Sequence, residues 1–267
     1  MTKNFSSDIV IKKRKKHFLK KLSVFVLFAL SLALVVFLAD ILSSALTAGK
    51  FSFAYIKSNS IKIEEKSLYA VTMGKSEDKF QAFNIAGGVS ILGAGGYVWE
   101  ENNTFYVVAN IYSTIEDANT IVDGLITSNY SVDVLEIKIP NIKLDASQLS
   151  KNDKKKIQNS LNRLYSLYED LYNMAINIDT KNITFIQGGS LVNGYKSECK
   201  IIINELNAIN ASLNLDYITK ISNTYVYVAE ILDALVYKLL KDGQLNYIVK
   251  NAEIEIVYEI YNLIKSL

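Results

Sequence analysis

Chemistry in a chain of 267 residues starts from its nucleophiles, bases and metal ligands, and here they are scarce. The one histidine, His17, stands among the basic residues near the N-terminus, so the chain beyond it has no imidazole. That removes most zinc sites and every Ser-His or Cys-His pair from the downstream chain. The one cysteine, Cys199, excludes an intrachain disulfide. It falls on an apolar helical stripe and reads as a buried core thiol rather than a reactive one. Glu100 with Glu101, and Glu253 with Glu255, are close carboxylates expected on solvated faces. Nothing around them in sequence suggests the apolar pocket that raises one carboxyl for acid catalysis. The glycines from Gly87 to Gly96 lack both the Gly-Lys-Ser/Thr ending of a phosphate loop and the spacing of a dinucleotide turn. Asn182-Ile183-Thr184 matches a glycosylation acceptor, a pattern common by chance. The expectation is a chain with no catalytic site, no metal and no cofactor.

Binding chemistry is better represented. Tyr69, Val71 and Met73 alternate with Ala70 and Thr72 before Gly74, which reads as a strand. Ser76 is a candidate helix cap, with Glu77 and Asp78 behind it and Phe80, Phe83, Ile85, Val89 and Leu92 at roughly helical spacing. Tyr97 to Glu101, the turn at Asn102-Asn103, and Phe105 to Tyr112 read as a hairpin. Ser113 to Glu116 has the form of a capping box opening a second helix, and Tyr130 to Ile139 a last strand closed by Pro140. Strand side chains alternate faces. If Tyr69, Val71, Met73, Phe105, Val107 and Ala109 meet the two helices, then Ala70, Thr72, Tyr106, Val108 and Asn110 lie on the open face of the sheet. Tyr97 or Trp99 joins them from the neighbouring strand.

The order strand, helix, strand, strand, helix, strand over residues 67–140 resembles the SPOR domain, a small module of bacterial division and sporulation proteins. Two half-repeats carry the likeness: Tyr69-Ala-Val-Thr-Met-Gly74 before a helix with Phe80 and Ala82, and Phe105-Tyr-Val-Val-Ala-Asn-Ile-Tyr112 before Ser113 and Glu116-Asp-Ala118. The sequence departs from the family pattern where Thr72 replaces a frequent glutamine and Asn110-Ile111-Tyr112 replaces Gly-Pro-Phe. The resemblance implies a ferredoxin-like βαββαβ sheet whose open face contacts peptidoglycan glycan strands. On this reading Tyr106 stacks on a sugar, Thr72 and Asn110 hydrogen-bond it, and Val108, Tyr97 and Trp99 complete the surface. The competing reading of these aromatics is plain packing.

From about residue 145 the apolar period becomes helical. Ile157, Leu161, Leu164, Tyr168, Leu171, Ala175 and Ile178 form one stripe, and three more follow through Cys199, Tyr225 and Val249. Breaks near Asp179–Asn182, Asn214–Asp216 and Lys241–Gln244 predict an antiparallel four-helix bundle over residues 145–267. Gly243 suits a helix end and Asp216 a helix start. Tyr165, Tyr172, Tyr227, Tyr237, Tyr258 and Tyr261 fall off the stripes, which suits either a partner surface or a broad apolar face. The fold class is therefore α+β.

The N-terminal segment sets location. Residues 22–39 are uncharged, roughly 18 residues and about 27 Å as a helix, and the apolar character continues to residue 46. Lys12, Lys13, Arg14, Lys15, Lys16, Lys20 and Lys21 precede this run, and only Lys50 follows closely. This asymmetry predicts a cytoplasmic tail (1–21), a single membrane-spanning helix (22–46), a linker (47–66) and an extracytoplasmic remainder. A cleaved signal peptide ending near Ser43-Ser44-Ala45 is the alternative. With net charge +2 and so many cations in the tail, the remainder is mildly acidic, which argues against nucleic acid as a partner. Two functional expectations follow: a membrane-anchored protein that binds cell-wall glycan in division, sporulation or envelope assembly, or an anchored scaffold whose bundle binds a protein and whose SPOR-like unit has lost its ligand.

Overall fold

A computed structural model describes residues 60–125, 130–242 and 247–267. The basic tail, the apolar run at 22–46, the linker up to residue 59, Gly243 and Leu245 lie outside the described residues. Among the described residues no helix is long and apolar enough to cross a membrane.

Four strands form the central sheet in the order β3-β4-β2-β5, every neighbouring pair antiparallel. They are β2 (Lys66–Ser76), β3 (Tyr97–Glu101), β4 (Thr104–Tyr112) and β5 (Asp133–Ile139). Helix α1 (Lys79–Ile91) joins β2 to β3, and α2 (Ile115–Leu125) joins β4 to β5. This is the split βαββαβ arrangement expected. Two further strands, β1 (Ser60–Ile63) and β6 (Ile142–Asp145), pair with each other outside the sheet and bring the entry and exit of the unit side by side. Residues 60–63, expected as linker, are therefore strand. Their apolar residues Ile61 and Ile63 are buried with Leu144 in the core, which ties the ribbon down.

Local chemistry places the helix starts slightly later than expected. Asp78, not Ser76, caps α1: its carboxylate accepts from the Phe80 and Gln81 N–H groups, while Ser76 Oγ accepts from Asp78 N. At α2, Thr114 rather than Ser113 accepts from the backbone N–H three residues on, and its hydroxyl donates to the Asp117 carboxylate at 2.6 Å. In both places two suitable cap residues stand close together, Ser76 and Asp78 at the first helix and Ser113 and Thr114 at the second. Gly96 turns the chain into β3 at φ +84°, where a Cβ would lie 2.5 Å from the Ala86 carbonyl oxygen. Only glycine fits that turn.

Helices α3 (Lys151–Asp179), α4 (Phe185–Leu213), α5 (Asp216–Asp242) and α6 (Tyr247–Ser266) make the bundle. Every residue of the Ile157 stripe is buried, as are Ile218, Ile221, Tyr225, Val228, Leu232, Leu235 and Leu239 on the third. Thr184 and Gln187 open α4 with a reciprocal capping box, which gives the Asn182-Ile-Thr184 motif a structural role. Asp216 stands in the first turn of α5, paired to Lys220 at 2.8 Å.

The sheet sorts its side chains onto two faces. Val71, Met73, Val107 and Ala109 pack with Ala82, Ala86, Val89 and Ala118 in a small core beneath α1 and α2. Leu68, Ala70, Trp99, Val108, Ile111, Ile137 and Ile139 belong instead to one continuous core with the bundle. The expected units 67–140 and 145–267 follow one another along the chain, but the described residues from Ser60 onward pack as one compact body.

Candidate binding surface

The six residues expected to meet a ligand sit on β2, β3 and β4. Tyr97 stands opposite Val108, Trp99 opposite Tyr106, and Thr72 opposite Val108 on the other side. Directly opposed residues in an antiparallel pair share a face. The structure therefore gathers Thr72, Tyr97, Trp99, Tyr106 and Val108 on one side of the sheet, as the alternation predicts.

Asn110 does not join them. Thr72 pairs with Val108 while Val71 pairs with Asn110, so one step on β2 answers two on β4. This bulge shifts the alternation by one residue. Asn110 is thereby opposed to Val71, a residue of the core under α1 and α2, and its amide Nδ2 donates to the Tyr112 hydroxyl at 3.4 Å. The sequence marks the bulge only weakly, through Ala109 and Asn110, residue types that strands disfavour.

The face that collects the other five is not open. Helix α6 lies across it. Trp99, 1% exposed, meets Tyr258 edge-on at 4.8 Å and Tyr261 at 5.4 Å between ring centroids. Tyr97 contacts Tyr258 at 5.8 Å, and burial holds its phenol above the ordinary range. Val108 and Thr72 are buried, and the Thr72 hydroxyl is spent on the Asp133 carbonyl at 3.2 Å. Tyr106 is half-buried against the same core. Polar contacts fasten the rim: Tyr261 donates to Glu101 at 3.0 Å, Lys250 to the Gly93 carbonyl at 2.9 Å, and Lys66 to Glu169 of α3 at 3.2 Å. The expectation of a solvent-facing sheet is thus corrected. Its physical reason lies in the off-stripe tyrosines. Tyr258 and Tyr261 give α6 a second apolar face, which Trp99 and Tyr97 cover, while Tyr172 of α3 meets Tyr112, packed with the core on the other side of the sheet, at 6.1 Å. Tyr227 and Tyr237 remain exposed.

One carboxylate also lies elsewhere than expected. Glu253 is fully buried, and neither of its oxygens has a hydrogen-bond partner among the described residues. It lies within electrostatic reach of Tyr112 on β4 and of Tyr168 and Tyr172 on α3. Burial pushes its carboxyl well above the usual range, opposed only by the positive charge of Lys250. The sequence signal was available: Val249, Ile256 and Val257, one turn away on either side, are all apolar. Glu255 and Glu259, also raised by burial, line an open groove of about 380 Å³ between α5 and α6 with Tyr227, Glu230, Lys238 and Asn251. Among the described residues no group of three or more His, Cys, Asp or Glu is placed to hold a metal ion.

No family model matches the chain, and no curated protein matches it. Among solved structures, the peptidoglycan-binding domain of the B. subtilis cell wall lytic enzyme CwlC is similar over 27% of this chain and 90% of that domain, at 20% identity and a TM-score of 0.24.

Proposed function

We propose that this is a non-catalytic, membrane-anchored extracytoplasmic interaction protein of the bacterial envelope, in which the SPOR-like unit and the helical bundle act as one binding body. One observation supports this over glycan binding at the sheet: the face that would meet a glycan strand is filled by Tyr258 and Tyr261 of α6. A sugar ring has no room against Trp99 while those rings are in place. The partner is a protein, met on the outer surfaces, and the setting is division, sporulation or envelope assembly. Co-sedimentation of the purified full chain with sacculi stripped of stem peptides tests the reading. The expected result is no retention above that of an unrelated membrane protein. Saturable retention would overturn it.

A second reading, glycan binding after the sheet parts from the bundle, is favoured by the two orphaned oxygens of Glu253 in the closed form. Buried polar atoms without partners regain water when an interface opens, which lowers the cost of opening. On this reading Tyr258→Ala with Tyr261→Ala gains sacculus binding over the unmodified chain. If the loosened variant stays folded and still fails to bind, glycan recognition at the sheet is excluded.

A further inference from the structure

Helix α1 has an outer face that its own fold does not use. Its inner residues Ala82, Ala86 and Val89 are buried against the sheet. On the outside, Phe80 is 81% exposed and Ile91 87%, with Phe83 and Leu92 more than half exposed between and beside them. No charged residue occurs from Phe80 through Trp99. Gly87 lies midway along this face, one turn after Phe83 and one turn before Ile91. A Cβ at Gly88 would strike the Tyr130 hydroxyl at 2.8 Å, which explains that glycine from within. A Cβ at Gly87 would meet nothing within 4 Å. Glycine is among the poorest residues for a helix interior, and here no contact in the fold requires it.

We infer that the outer face of α1 is a self-association surface, packing antiparallel against the same helix of a second copy with Gly87 at the crossing. The stripe is self-complementary about Gly87. In an antiparallel pair each Phe83 comes to the Ile91 of the other helix, and the two glycines let the backbones approach. This is the isologous contact of a twofold dimer, in which one patch meets its own image. The helix ends are complementary too. Lys79 opens α1, and the last turn carries no basic residue. Antiparallel packing sets each Lys79 beside the C-terminal end of the other helix, where a cation is favoured. The neighbouring helix α2 exposes Glu116, Asp117 and Asp123, which opposes docking on an anionic bilayer. The inference goes beyond the proposed function and holds whether or not the chain also binds glycan.

The test uses the full chain in native membranes carrying Gly87→Cys. Cys199 is buried, so the introduced thiol is the accessible one. Copper-phenanthroline oxidation should give a disulfide-linked dimer of this chain, at least about tenfold above an Asp123→Cys control on α2. Phe83→Glu in the Gly87→Cys background should abolish it, with unchanged far-UV dichroism after purification showing that the fold persists. Equal crosslinking at positions 87 and 123, a crosslink to a different protein, or crosslinking untouched by Phe83→Glu would each overturn the inference. Sacculus retention measured on the same variants reports separately on the proposed function.

Discussion

Trp99 and Tyr258 meet edge to face at 4.8 Å, and at this pair the sheet and the bundle become one molecule. Edge-to-face aromatic pairs add about 0.5–1.5 kcal/mol to the area they bury. The larger effect is the burial of the indole itself, since Trp99 is among the largest fully buried side chains.

Trp99→Ala should therefore cost about 3–5 kcal/mol, the usual range for emptying a large aromatic site in a core. Trp99 is also the only tryptophan, so its fluorescence reports the sheet–bundle interface alone. In a urea titration its emission should shift red over the same transition in which far-UV dichroism loses helix, because one core joins the two halves. Two separated transitions would show that the halves unfold independently.

The sequence made the bundle legible because helical stripes repeat many times, and one misplaced residue does not hide the period. The strand order was legible for a similar reason: the Asn102-Asn103 turn and Pro140 punctuate it, although β2 runs through Gly74, the expected stop, to Ser76. Two features were not. The bulge at Ala109–Asn110 turns on a single pairing step that residue type does not locate. The covering of the sheet depends on long-range packing, although a sign of it was present. Leu68, Ala70, Trp99 and Val108 put apolar side chains on the face expected to be wet, while Val71 and Val107 did the same on the other. Strands apolar on both sides are covered on both sides. Of the two readings of the off-stripe tyrosines, Tyr172, Tyr258 and Tyr261 follow the broad apolar face, which the sheet of the same chain meets.

Tyr225 joins two bundle helices that are not consecutive. Its hydroxyl, fully buried on α5, donates to the Ser160 carbonyl on α3 at 2.6 Å. Tyr225→Phe removes the donor, fills the same volume and leaves that carbonyl one bond short. The expected loss is about 1–2 kcal/mol by thermal or urea unfolding, with the helix content of the native state unchanged.

Cys199 should behave as core. Burial pushes its thiol up to about 12, with the Glu198 charge adding to the effect. The thiolate is the reactive form, so a thiol reagent at neutral pH should label the native chain at a rate limited by unfolding. Denaturant should release one fast-reacting thiol per chain. Rapid stoichiometric labelling without denaturant would contradict the packing of α4 against its neighbours.

Glu253 gives the interface a pH dependence whose sign is opposite to that of a salt-bridged carboxylate. Its carboxyl is raised in the folded chain and ordinary in the unfolded one, so the folded state holds the extra proton between the two values. Stability is then greatest below the ordinary carboxylate range and falls as pH climbs from that range toward the raised folded value. The groups around it are the Lys250 ammonium, which favours the ionised form, and the phenols of Tyr112, Tyr168 and Tyr172, neutral in this window. Glu255 and Glu259 are raised too and contribute with the same sign. Glu253→Gln should therefore flatten the fall in melting temperature from acid to neutral pH without removing it entirely. At neutral pH the variant should melt higher than the unmodified chain, and in acid the two should coincide. Glu253→Met, which also spares the site an orphaned polar group, should be the more stable of the two substitutions, since a buried polar group without a partner costs about 1–3 kcal/mol. A Glu253→Gln chain whose melting temperature falls with pH as steeply as before would show that this carboxylate is not desolvated at the junction of β4, α3 and α6.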